Sequence, residues 1–413
     1  MCIILNGKIC VVFIRKVKEM INETYKAMLS NKSVIRELSE YATARGKEIG
    51  YENVFDFSLG NPSVPCTDSY TRAVIDMYEN MDPMEIHGYS PSLGIESVRA
   101  TVADSLNRRF GMDYEAKHIF MASGAAGAIA HAVRAVTVEG DTILGFAPFF
   151  PEYVPYTQGR NFKLVPANTV DFQINFDKFE EMLDESVMAV LINTPNNPSG
   201  VAYNTATIEK LAATLYRKQE EYGHDIFLIS DEPYREIVFE GADSPYPSKF
   251  YDNTISCYSF SKSLSLPGER IGYVAVNPRA TDADILAVMC GQISRGIGHN
   301  CPSSTAQLAV ARVIDETSDL SVYETNMNLL YDALTEIGFE VVKPAGTFYI
   351  FPKALEEDSI AFCKKALEYD LILVPADNFG CPGYFRMAYC IDTEKVQRAI
   401  PVIKKFAKEV YGK

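Results

Sequence analysis

Lys262 stands in the stretch SFSKSLSLPGERIGY, residues 259–273, with Ser259 and Ser261 before it and Pro267, Gly268 and Arg270 after it. An amine among hydroxyls, followed by a guanidinium, can condense with a carbonyl compound while an anionic group of the same molecule is held nearby. Three other groups of useful residues also follow apolar runs. NTPNNPSG (193–200) follows VMAVLI, Asp231, Glu232, Pro233 and Tyr234 follow IFLIS, and a helix-like stretch opening on Gly124, Ala125 and Ala126 follows HIFMAS. Bare backbone amides at a helix start suit a phosphate.

Each group alone has a plainer reading. Asn, Pro and Gly make turns whether or not they bind anything. Asp231 would serve as a helix cap, Gly124 would allow close packing, and a tyrosine after a strand is more often core or surface than ligand. SFSK also matches the SxxK pattern of serine acyl enzymes, but that chemistry needs SDN-like and KTG-like partners. The chain offers SDE at 230–232 and no KTG. It has neither a GxxxxGK[ST] loop nor a GxGxxG strand-to-helix turn, which removes the commonest nucleotide sites.

The elements that must position these residues alternate along the chain. Residues 28–50 have helical periodicity ending at Gly50, and NVFDFSLGNP reads as a strand broken by Gly60 and Pro62. IESVRATVADSLNRRFG and GAAGAIAHAVRAVTV read as helices, while HIFMAS, DTILGF, VMAVLIN, DIFLIS and TISCYSF are apolar runs of strand length. Continuous apolar runs between amphipathic helices predict an α/β large domain with a mostly parallel sheet, covered on both faces. Beyond residue 310 the texture becomes α+β, with FEVVKPAGTFYIFP alternating like a strand with one exposed face. The expected division is a large domain over 67–310, a small domain made of 28–66 with 311–413, and an N-terminal extension over 1–27. That extension is either an edge strand or a translated leader before a start at Met20 or Met28.

At 413 residues, two domains enclosing a cleft are expected. A net charge of −15, with basic residues clustered only at 15–18, argues against nucleic acid as partner. Five scattered histidines without HxH or HxxxH spacing argue against a protein-held metal. Nine scattered cysteines without a CxxC pair predict unpaired thiols and a cytoplasmic setting. The first residues are too interrupted for a membrane span or a signal peptide.

In open α/β sheets, ligands sit beyond the carboxyl ends of the strands, so the groups above belong to one site. A phosphorylated pyridine aldehyde needs an amine for its aldehyde, a carboxylate for its ring nitrogen, donors for its ring oxygen and a phosphate cup. Lys262, Asp231, Tyr234 with Asn197, and then Ser259, Ser261, Arg270 and the amides of Ala125 and Ala126 supply that set.

Here the sequence resembles the class I/II aminotransferases, fold-type I pyridoxal 5'-phosphate enzymes that include the aspartate aminotransferases. The resemblance runs from FSLGNPSVP (57–65) to YFRMAYC (384–390), carried by NTPNNPSG, SDEPYREIVF, SFSKSLSLPGERIGYVAV and GTFYIF in the family's order. It implies that Lys262 holds the cofactor and shuttles the proton, that Asp231 partners the ring nitrogen, and that Asn197 and Tyr234 bind the ring oxygen. Phe150 would stack on the ring where many relatives carry Trp or Tyr, and this chain has no Trp. Arg386 of FRMA would pair with the substrate α-carboxylate, with Gly60 and Asn197 beside it. Tyr89 of HGYSPSLG would reach the neighbouring subunit's phosphate, implying a homodimer. Arg295 resembles in spacing the arginine that some relatives give to a dicarboxylate side chain, though Gly296 and Gly298 depart from that pattern. The expected activity is ping-pong amino transfer from aspartate or another dicarboxylic amino acid to a 2-oxo acid. Aromatic or aliphatic donors, β-elimination or decarboxylation on the same fold, and a non-catalytic sensor remain as alternatives.

Overall fold

The computed structural model describes residues 2–5, 8–11, 21–29 and 34–413. In chain order its strands are β1 (Cys2–Leu5), β2 (Lys8–Val11), β3 (Phe55–Asp56), β4 (Ile119–Ala122), β5 (Thr142–Phe146), β6 (Asn161–Val165) and β7 (Val187–Asn193). Then follow β8 (Phe227–Asp231), β9 (Thr254–Ser259), β10 (Gly272–Val276), β11 (Tyr349–Ile350), β12 (Leu371–Ile372), β13 (Val374–Pro375) and β14 (Phe385–Ala388).

The apolar runs pair as one seven-stranded sheet in the order β4-β10-β9-β8-β7-β5-β6. Strands β5 to β9 are parallel to their partners, and β10 runs antiparallel between β9 and β4. Every residue of β4, β5, β9 and β10 is buried, as expected where helices cover both faces. The helix Gly124–Val136 packs Ala128, Ile129, Ala132 and Val133 against Phe120, Ile229, Ile255 and Val274. That contact aims its first turn at the carboxyl ends of the strands.

A smaller antiparallel sheet has the order β11-β14-β13, and β3 pairs in parallel with β12. The helices Ser321–Ile337, Ser359–Ala366 and Thr393–Tyr411 bury Leu330, Phe362, Ile403 and Phe406 against Phe57, Phe348 and Leu371. Tyr234, Ile237 and Phe239, from the turn after β8, join the same cluster. The two sheets therefore meet at the ends of the central strands.

Several local expectations change. The stretch 339–352 is not a strand with one exposed face: Tyr349–Ile350 form a two-residue strand and Gly346 a single bridge to Val238, and Phe348, Tyr349, Ile350 and Phe351 are all buried. They lie between the core and the cavity described below, so both sides of this segment are covered. LILVPA divides between two sheets, Leu371 and Ile372 pairing with β3, Val374 and Pro375 with β14. The first long helix begins at Val34 rather than at Met28, which closes a separate short helix, Glu23–Met28, and it ends before Gly50 at φ 90°. β1 and β2 pair with each other instead of edging the large sheet. Residues 1, 6–7, 12–20 and 30–33, Met20 included, lie outside the described ones. Among the described residues, no helix is long and apolar enough to cross a membrane.

Candidate active site

A cavity of about 550 Å³ opens where β7, β8 and β9 end. Gly60, Ala125, Ala126, Phe150, Asn197, Asp231, Tyr234, Ser259, Ser261, Lys262, Arg270 and Arg386 all line it. Twelve of the fourteen residues singled out in the sequence thus face one space.

Strand ends set their positions. Asn193, the last residue of β7, donates from Nδ2 to the Asp231 carbonyl at 2.9 Å and accepts at Oδ1 from the Asn197 amide at 2.7 Å. The NTPNNPSG turn is thereby tied to β8. Tyr153 donates its hydroxyl to Asp231 Oδ2 at 2.5 Å, while Oδ1 is buried without a partner. A buried carboxylate oxygen left unpaired is costly unless a ligand supplies a donor. Burial pushes the Asp231 carboxyl up to about 7, opposed by the Tyr153 hydrogen bond and reinforced by the charge of Glu232.

This shift has a consequence for stability. An unfolded Asp ionises near about 3.9, so from about pH 4 to 7 the folded chain retains a proton that unfolding releases, and stability falls as pH rises through that window. In ligand-free protein, Asp231→Asn is expected to gain stability on the wild type between those pH values. Thermal melts with equal pH slopes for the two proteins would contradict it.

Lys262 lies in the short helix Phe260–Ser263 after β9, and its Nζ donates to the Gly60 carbonyl at 2.7 Å. Burial lowers its ammonium to about 8, helped by the charges of Arg386 and Arg270 and opposed by Cys390. The free amine, which is the nucleophilic form, is therefore accessible near neutral pH. Ser259 Oγ pairs with Ser261 Oγ at 2.6 Å. Lys262 thus bonds to Gly60 and Ser259 to Ser261, an arrangement that gives the SxxK reading no support.

The wall near Ser259 is built for an anion. Gly124 has φ 72°, and a Cβ there would stand 3.0 Å from Arg270 Nη2 and 3.5 Å from Ser259 Oγ. Gly272 has to be bare as well, since its Cβ would meet the Tyr258 carbonyl at 2.2 Å and Gly124 Cα at 3.0 Å. Two glycines thus let the helix start, β10 and the Arg270 guanidinium converge, with helix N–H groups directed at the gap. Arg270 itself takes φ 51° and donates from Nη1 to the Pro267 carbonyl at 2.9 Å.

Across the cavity, Arg386 on β14 is almost fully buried at 1% exposure. It donates to Asn197 Oδ1 at 3.0 Å and to the Ser58 carbonyl at 2.5 Å, and its Nε has no partner. Its guanidinium lies 4.5 Å from the Tyr349 ring centroid and 5.1 Å from that of Phe379. No carboxylate of a described residue pairs with it, and burial lowers its pKa. A buried cation so placed calls for an anionic ligand. Tyr234 donates to the Tyr349 hydroxyl at 3.2 Å, and Phe150 stands perpendicular to Tyr153.

Tyr89 and Arg295 are not among these lining residues. Tyr89 is fully exposed, and Arg295 is exposed in the last turn of the helix Ala283–Gly296. The structure adds Asn193, Tyr153, Tyr156 and Tyr349, together with Arg36, Ser39 and Glu40 from the helix Val34–Ile49. Asn193 opens NTPNNPSG and Tyr349 sits inside GTFYIF, so both were within reach of the motif reading. The helix residues carry no local signal beyond periodicity.

The model of the family described as aminotransferase class I and II matches residues 52–403. A solved structure of an amino transferase from Eubacterium rectale superposes with a TM-score of 0.92 at 42% identity, covering 95% of this chain and 99% of that one. A probable aspartate/prephenate aminotransferase of Aquifex aeolicus is 28% identical over 385 residues, 89% of this chain and 95% of its own length. Aromatic-amino-acid aminotransferase 2 of Thermococcus litoralis is 28% identical over 400 residues, 92% of this chain and 96% of its own. With the motif order, the sheet and the cavity agreeing over this length, the chain belongs to the class I and II aminotransferases.

Proposed function

We propose that the amino transfer uses pyridoxal 5'-phosphate held in this cavity and runs from aspartate or another dicarboxylic amino acid to a 2-oxo acid. The observation that carries this reading is the partnerless Asp231 Oδ1 in the same cavity as the low-pKa amine of Lys262 and Arg386, whose Nε has no partner. These residues fit the cofactor: a carboxylate for a ring nitrogen, an amine for an aldehyde, and the Gly124, Ser259 and Arg270 wall for a phosphate.

When bound, pyridoxal phosphate supplies an aldehyde that accepts the amino group and a protonated ring that draws off electron density. Asp231 favours the proton on the ring nitrogen, and Tyr153 fixes the carboxylate that does so. Lys262 Nζ, held at the Gly60 carbonyl, would hold the aldehyde and, as a free amine, would move the proton from the substrate α-carbon. Arg386 would orient the α-carboxylate with two parallel donors, and Asn197 and Tyr234 would be the donors for the ring oxygen. Phe150 offers a face for stacking.

The names of relatives such as the Aquifex aeolicus protein support aspartate as donor. The Thermococcus litoralis relative and the apolar lining residues Ile35, Leu59, Ile129 and Phe150 favour an aromatic donor as the second reading. The exposure of Tyr89 is consistent with a homodimer in which it reaches a partner's phosphate. The seven cysteine side chains among the described residues are unpaired, which supports a cytoplasmic setting. The pairing of β3 with β12 supports grouping 28–66 with 311–413 apart from the cofactor-binding portion, 67–310. Initial rates over a grid of aspartate and 2-oxoglutarate concentrations test the reaction: parallel double-reciprocal lines are expected, and converging lines would contradict a ping-pong transfer.

A further inference from the structure

Among the described residues, four cationic side chains line the cavity: Arg36, Lys262, Arg270 and Arg386. On the function proposed above, Lys262 and Arg270 serve the cofactor and Arg386 the α-carboxylate. Arg36 is left over. It is exposed on the helix Val34–Ile49 and makes no ion pair or side-chain hydrogen bond with any described residue. We propose that Arg36 is the specificity-determining residue that pairs with the side-chain carboxylate of a dicarboxylic substrate. This inference rests on the proposed function.

The packing of the helix supports that role. Its Ile35 and Leu38 lie against the cluster of Phe351, Val374 and Phe379, and Ala42 packs with Val54 and Ile372. Arg45 Nε on the same helix pairs with Asp370 Oδ1 at 2.7 Å. Val374 is in turn the register partner of Arg386. The element that carries Arg36 is thereby packed on the strand pair that carries the α-carboxylate reader. A dicarboxylate needs two cationic contacts held at a set separation, and the guanidinium fork suits each of them.

Glu40, one turn further along, and Glu152 line the same mouth and have no ion-pair partner among the described residues. They make Arg36 decisive. Among the described residues, the mouth with it offers one cation to an anionic side chain; without it, two carboxylates remain there, and a second substrate carboxylate meets repulsion. Arg295, the residue favoured by sequence spacing, does not line the cavity of its own chain.

The test compares the cofactor-loaded wild type, Arg36→Leu and Arg295→Leu with aspartate, glutamate, alanine and leucine as donors. Binding of succinate, an unreactive dicarboxylate, is titrated in parallel. Arg36→Leu is expected to lower kcat/KM for aspartate and glutamate by on the order of tenfold or more, with succinate binding weakened to match. Alanine and leucine should change by less than about twofold, because they present no second carboxylate. A selective loss in Arg295→Leu with none in Arg36→Leu overturns the proposal. So does an equal loss on all four donors, which would mark Arg36 as a packing residue. Unchanged aspartate and glutamate turnover in Arg36→Leu overturns this inference alone; a wild type that uses alanine but neither dicarboxylate overturns the dicarboxylic donor proposed above together with it, and a wild type inactive with every donor overturns the proposed function as a whole.

Discussion

Replacing Lys262 by alanine is expected to lower kcat by about 10³-fold or more, with the fold intact. A positioned general base contributes about 10²- to 10⁴-fold, and on the proposed function this lysine would serve in addition as the covalent anchor. Folding should tolerate the change. Lys262 Nζ makes one hydrogen bond, to Gly60, and burial already disfavours its charged form. The truncated side chain also opens onto an existing cavity instead of leaving a void in packed core. Steady-state kcat, with circular dichroism as the folding control, measures this. A variant within tenfold of wild type would remove Lys262 from the reaction.

Arg386→Met is expected to lower kcat/KM for every amino donor by about 10²- to 10⁴-fold, on the strength of two charge-assisted hydrogen bonds worth roughly 1.5–3 kcal/mol each. The same variant should not lower the melting temperature of the ligand-free protein. Arg386 is buried with an unpaired Nε and no carboxylate partner among the described residues, so an apolar chain of similar length removes a desolvation cost that offsets the loss of its hydrogen bonds to Asn197 Oδ1 and the Ser58 carbonyl. Loss of catalysis without loss of stability is what separates a ligand-binding arginine from a structural one. Arg386→Lys should recover little, since an ammonium cannot form the two parallel bonds. Equal damage to melting temperature and to kcat/KM would assign the residue to the core.

The sequence carried the large sheet well because its strands are continuous apolar runs, and buried parallel strands have no other way to be written. The site was legible for a related reason. Asp231, Ser259 and Asn193 are strand ends, so a rule about where ligands sit in α/β sheets locates their neighbours too. The smaller layer was harder. Alternation in FEVVKPAGTFYIFP suggested one wet face, yet Phe348 and Ile350 lie in the core while Tyr349 closes the cavity. Local pattern cannot register a segment covered on one side by protein and on the other by a site. Tyr153 escaped notice because its role, holding Asp231 Oδ2, depends on a contact 78 residues away. Arg36 escaped for the same reason: only the docking of its helix onto β13 brings it to the cavity mouth.

The most direct measurement mixes protein loaded with pyridoxal phosphate and L-aspartate in the absence of any 2-oxo acid, and follows both the visible cofactor band and released oxaloacetate. The expected result is loss of the band with one equivalent of oxaloacetate per active site, because a half-reaction stops once each cofactor is aminated. An unchanged band with no oxaloacetate would contradict aspartate as donor, and continuous release of ammonia beyond one equivalent would contradict transfer itself.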